Sequence, residues 1–460
     1  MNEKALPRDL DRILWDPLAR RLYEEAALDL PIIDFHNHIS VGQLRENRPF
    51  RDLDQLWLAS DPYKHRGLRI LGVPEERITG DVPGREKFRT WCRVFSKLEG
   101  NPLAHWSRME LEGILGIDVP LCSENADRIW DMATERLSMP EFKPQEILKK
   151  FPIHYQAPCA AFDDSLEPFR GLANVAPSLR GDNLLADPEG ICRWLEAQWG
   201  ESVTDLESLR VLLRRRLEEF HRLGCRFADH ALDAGWNYVP DDGKNDWRFK
   251  ALRRGEIPEP QDRAALQSHI LRLLEELYNE LGWVVQLHLG ASRFTSTRLR
   301  ELVGPAGGFA GIGTVNVESL IRLLDDLERK GHLPRTILYT MDNSLLPRLA
   351  ILTGSFVRAG EPGYVQLGPA WWWCDHIRGM EDTLGAVMGY GLLSTFIGMT
   401  TDSRSLLSFS RHSYFRAVLC AWLAKQSRAG VITENFEDLT ALVRAMCFEN
   451  ANSVLTERIR

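Results

Sequence analysis

Short apolar runs rich in β-branched residues recur along this chain, and stretches with helical periodicity separate several of them. The runs are Leu30–His36, Ile153–Ala160, Asn174–Leu179, Cys225–His230, Trp283–Leu289, Thr336–Thr340, Gly363–Leu367 and Phe396–Thr400. Their periodicity predicts strands, and that of Ser208–Leu223, Leu266–Leu281, Val317–Lys330 and Glu381–Leu393 predicts amphipathic helices. Alternating strands and helices imply a parallel sheet, because each right-handed crossover packs a helix back onto the sheet. Eight such units predict an α/β chain closed into a (β/α)8 TIM-type barrel. No glycine-rich fingerprint follows the first run, which argues against an open dinucleotide-binding sheet. A barrel accommodates all 460 residues as one elaborated unit.

One stretch departs from the alternation. From Ser40 to Lys150 the chain is helical in texture, polar, and rich in Trp and Arg, without a convincing buried strand. The expected organisation is an N-terminal helix and first barrel strand in residues 1–39, a helical insertion in 40–150, and the remainder of the barrel in 151–460.

Composition removes several classes of function. Lys and Arg total 57 against 65 Asp and Glu, a net charge of −8, so no basic excess suggests nucleic acid. The densest basic run, Arg214-Arg215-Arg216, reads as the solvated face of a helix. Eight scattered cysteines include no C-x-x-C pair, and the N-terminus has no apolar signal core. No apolar run reaches the ~18–20 residues of a membrane span. A cytoplasmic enzyme with no membrane or nucleic-acid partner is expected. The oligomeric state stays open, although large barrels often form homo-oligomers.

Catalytic groups of such barrels lie at the C-terminal ends of the strands. The first predicted strand ends in His36-Asn37-His38. Side chains alternate along a strand, so His36 and His38 share a face and can converge on a divalent transition metal. Two hydrogen-bonded structural histidines are the competing reading. His288 closes the fifth predicted strand, and Asp402 lies just past the eighth. Two imidazoles and a carboxylate leave positions for substrate or water and suit zinc, manganese or iron; zinc is the expected ion. Asp402 alone reads equally well as a helix N-cap beside Ser403 and Ser405. Arg404 and Arg180 both follow predicted strands and would bind a carboxylate, which suggests an anionic substrate. Asp229-His230 ends the fourth predicted strand as support or pocket wall, and one residue of Trp371-Trp372-Trp373 is expected near the ligand.

His36-Asn37-His38 and Asp402 resemble the amidohydrolase superfamily. Asp229-His230 stands where its binuclear hydrolases carry a bridging lysine, so one metal rather than two is expected. Longer stretches resemble the uronate (glucuronate) isomerases of that superfamily. These are Gly100-Asn101-Pro102-Leu103-Ala104-His105-Trp106, Gln286 to Gly290, and the C-terminal block with Gly398-Met399-Thr400-Thr401-Asp402-Ser403-Arg404-Ser405 and Arg411-His412-Ser413-Tyr414-Phe415-Arg416. The resemblance implies aldose–ketose isomerisation of a sugar acid through a cis-enediol. The reaction would be D-glucuronate to D-fructuronate or D-galacturonate to D-tagaturonate. It also implies one divalent metal on His36, His38 and Asp402, and an active site that includes Tyr63, His288 and Arg404. Substrate contacts are expected from Arg180, Arg404, Trp371 and His230. Tyr63 is the first choice for the C2 base, with its pKa lowered by cations; Asp402 and His288 are reserves. His36 or Asp402 would assist ring opening.

The family's Thr-Thr-Asp-Asp-Pro after the second strand is replaced by Pro158-Cys159-Ala160-Ala161-Phe162. Asp163 and Asp164 would substitute for its aspartates only through a loop shift. The competing functions are a metal-dependent hydrolase or decarboxylase, and a sugar-acid-binding protein without catalysis.

Overall fold

The computed structural model describes residues 6–256, 259–304 and 307–456. Among these, seven strands form one parallel sheet. They are β1 (Ile32–Asn37), β2 (Ile153–Ala161), β3 (Ser178–Arg180), β4 (Phe227–Leu232), β5 (Val284–Leu289), β6 (Arg335–Thr340) and β7 (Val365–Leu367). Their order in the sheet is their order in the chain, and every neighbouring pair is parallel. β5 and β6 are buried at every position, as strands covered on both faces must be.

The expected eighth strand is absent among the described residues. Phe396–Thr400 lies in extended chain without a strand ladder, because Gly398 turns the backbone at φ 96°. A Cβ there would meet the Met446 carbonyl oxygen at 2.2 Å, so only glycine suits this position. Side chains tie the segment to both of its neighbours instead. Gln366 Oε1 on β7 accepts from Ile397 N at 2.9 Å. On β1, His36 N donates to Thr400 Oγ1 at 2.9 Å, and Asp34 Oδ1 accepts from Thr401 N at 2.6 Å. The third strand is also shorter than expected, with only an isolated bridge joining Val175 to Gln156 upstream of it.

The crossover helices fall close to their predicted positions, at Leu206–Arg222, Pro260–Leu281, Val317–Arg329 and Ile377–Tyr390. Local chemistry sets their starts. Asp205 and Ser208 form a capping box, Asn316 caps the third helix, and Pro260 supplies a preset φ at the first turn of the second. Arg216 corrects the reading of the basic run. Its guanidinium is buried, donating from Nε to the Phe162 carbonyl and packing over Trp194 and Phe220. Arg214 and Arg215 do face solvent, paired with Glu280 and Glu201.

Between β1 and β2 the described chain is helical, with its longest helices at Gly84–Val94, Pro102–Gly113 and Ala126–Leu137. Trp57, Trp91 and Trp106 are fully buried there and join the apolar cluster that runs under the sheet. No described helix is long and apolar enough to cross a membrane.

Candidate metal centre and adjoining pocket

β1 delivers His36, and the turn after it delivers His38, with ring centroids 5.2 Å apart. Asp402 meets both: its Oδ1 lies 3.3 Å from His36 Nε2 and 3.0 Å from His38 Nε2. No hydrogen bond of acceptable geometry reaches that oxygen, although the Asp402 side chain is only 9 % exposed. A buried carboxylate oxygen facing two imidazole nitrogens without a directed N–H is the arrangement of a cation's donor set rather than of a hydrogen-bonded triad.

The chain holds Asp402 in this position firmly. Its φ of 46° is left-handed, which a non-glycine residue rarely adopts. Backbone bonds fix the flanks: Asp402 N donates to His36 O at 3.0 Å and His38 N to Ser403 O at 2.8 Å. Trp371 Nε1 donates to the other carboxylate oxygen at 2.9 Å. Beneath them Asp34, fully buried, accepts from Asn37, Thr400 and Thr401, with His412 at 3.3 Å. The helix-cap role falls to Ser405, whose hydroxyl accepts from Leu407 N, and not to Asp402.

Sequence reasoning missed Cys159 on β2. Its Sγ lies 3.5 Å and 4.0 Å from the two nitrogens of His36 and 3.7 Å from Asp229 Oδ1. Ligand atoms of His36, His38 and Cys159 all fall within 4.8 Å of one another. The signal was available: the residue sits near the C-terminal end of a strand beside β1, where barrel chemistry collects. Asp163 and Asp164 do not replace the lost aspartates. Both are exposed; Asp163 holds Asn183, and Asp164 accepts from Ala161 N at 2.8 Å.

Charge in this cluster favours a cation. Burial depresses the His36 imidazole, yet Cys159, Asp402 and Asp229 outweigh it and raise its pKa well above the ordinary value. Burial pushes Asp402 up, but His36 and His38 hold it well below the carboxylate range. His288, on β5, is kept neutral by burial and by its neighbour His36, and its Nε2 has no partner. Its ring lies 4.8 Å from that of His36 and is stacked on Tyr339 at 4.6 Å.

Beside the cluster opens a cavity of about 250 Å³. His38, Tyr63, Arg180, Arg404, Trp372 and Trp373 line it, as does Arg293, which sequence reasoning did not select. Arg293 lies just beyond β5 and is oriented by Asp233 at 2.9 Å, with its guanidinium over Trp372. Arg180 is oriented by Asp182 at 2.9 Å. Gly308, at φ 76°, lets its loop lie against Pro62 at the mouth; a Cβ there would meet the Pro62 carbonyl oxygen at 2.3 Å. Two expected pocket residues sit behind the wall. Trp371 is buried against His288 and Asp402, while His230 packs on Tyr278 and under Gly181.

Tyr63 enters on the helix Pro62–Ile70, capped by Asp61, whose carboxylate accepts from Tyr63 N and Lys64 N. Its ring packs on Trp373 at 4.8 Å, and its hydroxyl donates to Asp375 Oδ2 at 3.0 Å. Among the chain's own groups, burial and Asp375 raise the phenol well above its ordinary pKa, against the pull of Arg411. Burial likewise lifts Asp375 to about 6, although Arg411 lies 3.6 Å away. Asp375 and buried Arg411 complete the floor under Tyr63.

A family model for glucuronate isomerase matches residues 9–455. The uronate isomerase of Salmonella typhimurium strain LT2 is 38% identical over 461 residues, covering 97% of this chain and 98% of that protein. Among solved structures, uronate isomerase from Thermotoga maritima superposes with TM-score 0.89 at 27% identity, covering 97% of this chain and 98% of that one. Glucuronate isomerase from Caulobacter crescentus shares the fold with TM-score 0.87 at 24% identity, over 97% and 96% of the two chains.

Proposed function

The chain belongs to the glucuronate isomerase family and is a uronate isomerase, and from that premise we propose how its own residues isomerise a hexuronate and hold a divalent ion. The observation that carries the reading is the convergence of Arg180, at the end of β3, with Arg293 and Arg404, from two separate loops, on one cavity beside His36, His38 and Asp402. Guanidinium groups bind the substrate carboxylate in bidentate fashion and place its other end at the cluster. Trp372 and Trp373 offer flat apolar walls to the carbon chain and exclude water.

His36, His38 and Asp402 would hold the ion, for which zinc is our choice; the unbonded Asp402 oxygen between two imidazoles fits a cation. When bound, the ion supplies positive charge against the oxygens of the enediolate. The reaction breaks the C2–H bond and forms a C1–H bond through a cis-enediol. Tyr63 holds its phenolic proton in this environment, so we assign it proton donation to a sugar oxygen first and base chemistry only after Asp375 has taken that proton. Asp402 stays ionised and is the base we favour at C2; neutral His288 is its alternate. Of the three arginines, Arg404 adjoins His38 and Asp402 and is the one assigned to steady the developing charge, leaving the carboxylate to Arg180 and Arg293.

The remaining elements of this reading are architectural. Segment 396–402 takes the eighth place and closes the sheet as a (β/α)8 barrel, supported by its bonds to both β7 and β1. Residues 40–150 form a helical insertion that brings Tyr63. Eight free cysteines support a reducing, cytoplasmic setting.

The test is incubation of metal-loaded protein with D-glucuronate and D-galacturonate in D2O, followed by NMR. Ketose product carrying solvent deuterium is expected. Cleavage of an ester or lactone panel, with both uronates unchanged, overturns the proposal.

A further inference from the structure

We infer that Cys159 is a fourth protein ligand of the same ion, so that this chain's centre is a thiolate site of two histidines, one carboxylate and one cysteine. The inference rests on the metal reading above and adds a donor to it.

Geometry comes first. Around an ion with metal–nitrogen bonds of ~2.0–2.1 Å and a metal–sulfur bond of ~2.3 Å, neighbouring donors of a tetrahedron stand roughly 3.3–3.6 Å apart, and substrate would enter as a fifth ligand. The observed distances are 3.3 Å and 3.0 Å from Asp402 Oδ1 to the two imidazoles, and 4.0 Å from Cys159 Sγ to His36 Nε2. Ligand atoms of Cys159, His36 and His38 all lie within 4.8 Å of one another, close enough to share one ion. The position of Asp402 is an independent pointer, because its buried Oδ1 aims into this space without a hydrogen bond.

Sequence context explains why a cysteine matters here. Cys159 is the one side chain of Pro158-Cys159-Ala160-Ala161-Phe162 able to ligate. Asp229, 3.7 Å from Sγ and 3.9 Å from His36 Nδ1, is placed to orient both groups from behind. Binding releases the thiol proton to solvent as the sulfur–metal bond forms. A soft donor narrows the choice of ion towards zinc or cobalt(II) and away from manganese.

Cobalt(II) is the probe, added to the apoprotein. Thiolate–cobalt bonds absorb strongly in the near ultraviolet, while nitrogen and oxygen donors give only weak visible bands. The full chain should show the strong band, and Cys159→Ala should lose it, keep the visible bands, and bind cobalt at least ~10-fold more weakly. Should Cys159→Ala fail to fold, iodoacetamide labelling of the unaltered protein decides the matter. Cobalt should protect the peptide containing Cys159, read by mass spectrometry. A cobalt protein with visible bands alone, or with Cys159 equally labelled with and without cobalt, overturns the inference while leaving His36, His38 and Asp402 as ligands. A chain that takes up no cobalt at all overturns the metal reading itself.

Discussion

Two buried polar clusters lie close together in this molecule, and they are built on opposite principles. In the helical segment below the pocket, Lys64 stands 2.6 Å from Asp61 and 3.6 Å from Glu110, and Glu110 also accepts from Trp57 and Ser408. Each of these charges has a partner of opposite sign. At the ends of β1, β2, β4 and β5, by contrast, acceptors and potential anions crowd together: His36, Cys159, Asp229, His288 and Asp402. The first cluster is balanced by the chain itself and acts as scaffold. The second would reach balance by taking a cation, so the two should fail in different ways.

The largest effect expected is at Asp402. Asp402→Asn should lower turnover on the order of 10³-fold and strip the ion, measured by kcat/KM and by metal content after gel filtration. Full activity with full metal content would mean that the wrong cluster has been assigned to chemistry. Lys64→Met tests the other side. It leaves Asp61 and Glu110 buried without their cation, so unfolding free energy should fall by about 3–5 kcal/mol in denaturant titrations. The surviving folded protein should retain its metal; loss of metal without loss of stability would erase the distinction drawn here.

Arg404→Met should cost roughly 10²-fold in kcat/KM, whereas Arg8→Met, at an exposed pair with Asp118, should cost nothing. Equal losses would remove Arg404 from the pocket. Trp371→Phe deletes the N–H that holds Asp402, and a metal affinity ~10-fold weaker is expected from equilibrium dialysis against a chelator.

A pH dependence of stability is expected at Asp375. Its carboxyl is raised from 3.8 to about 6, so the native state holds more protons than the unfolded chain across that interval. Stability should therefore fall as pH rises from about 4 to about 6. Asp375→Asn should flatten this part of the curve, and an unchanged slope would show that the group titrates normally.

Much of the site was legible because strand parity is local information. His36 and His38 share a face by alternation, and Asp402, His288 and Arg404 follow apolar runs whose ends are easy to recognise. Cys159 was hidden by comparison with a motif whose polar residues it lacks, although its place on β2 was predicted. The last barrel segment looked like a strand because Phe396–Thr400 is apolar. Gly398 and the side-chain bonds of Asp34, Thr400 and Gln366 link residues far apart in the chain, and no periodicity encodes them. The surroundings of Tyr63 were hidden for a related reason. Its nearest carboxylate, Asp375, and the depth of its burial arise only when distant segments meet.

Asp34 joins residues separated by more than three hundred positions, and this has a consequence for synthesis. The histidine pair leaves the ribosome long before Thr400 and Thr401, which bond to Asp34, and Asp402, which follows them. Until then the two imidazoles lack the carboxylate of the proposed site. An ion that needs Asp402 would therefore be held only after that residue has emerged, and a product stalled before residue 400 should bind it poorly.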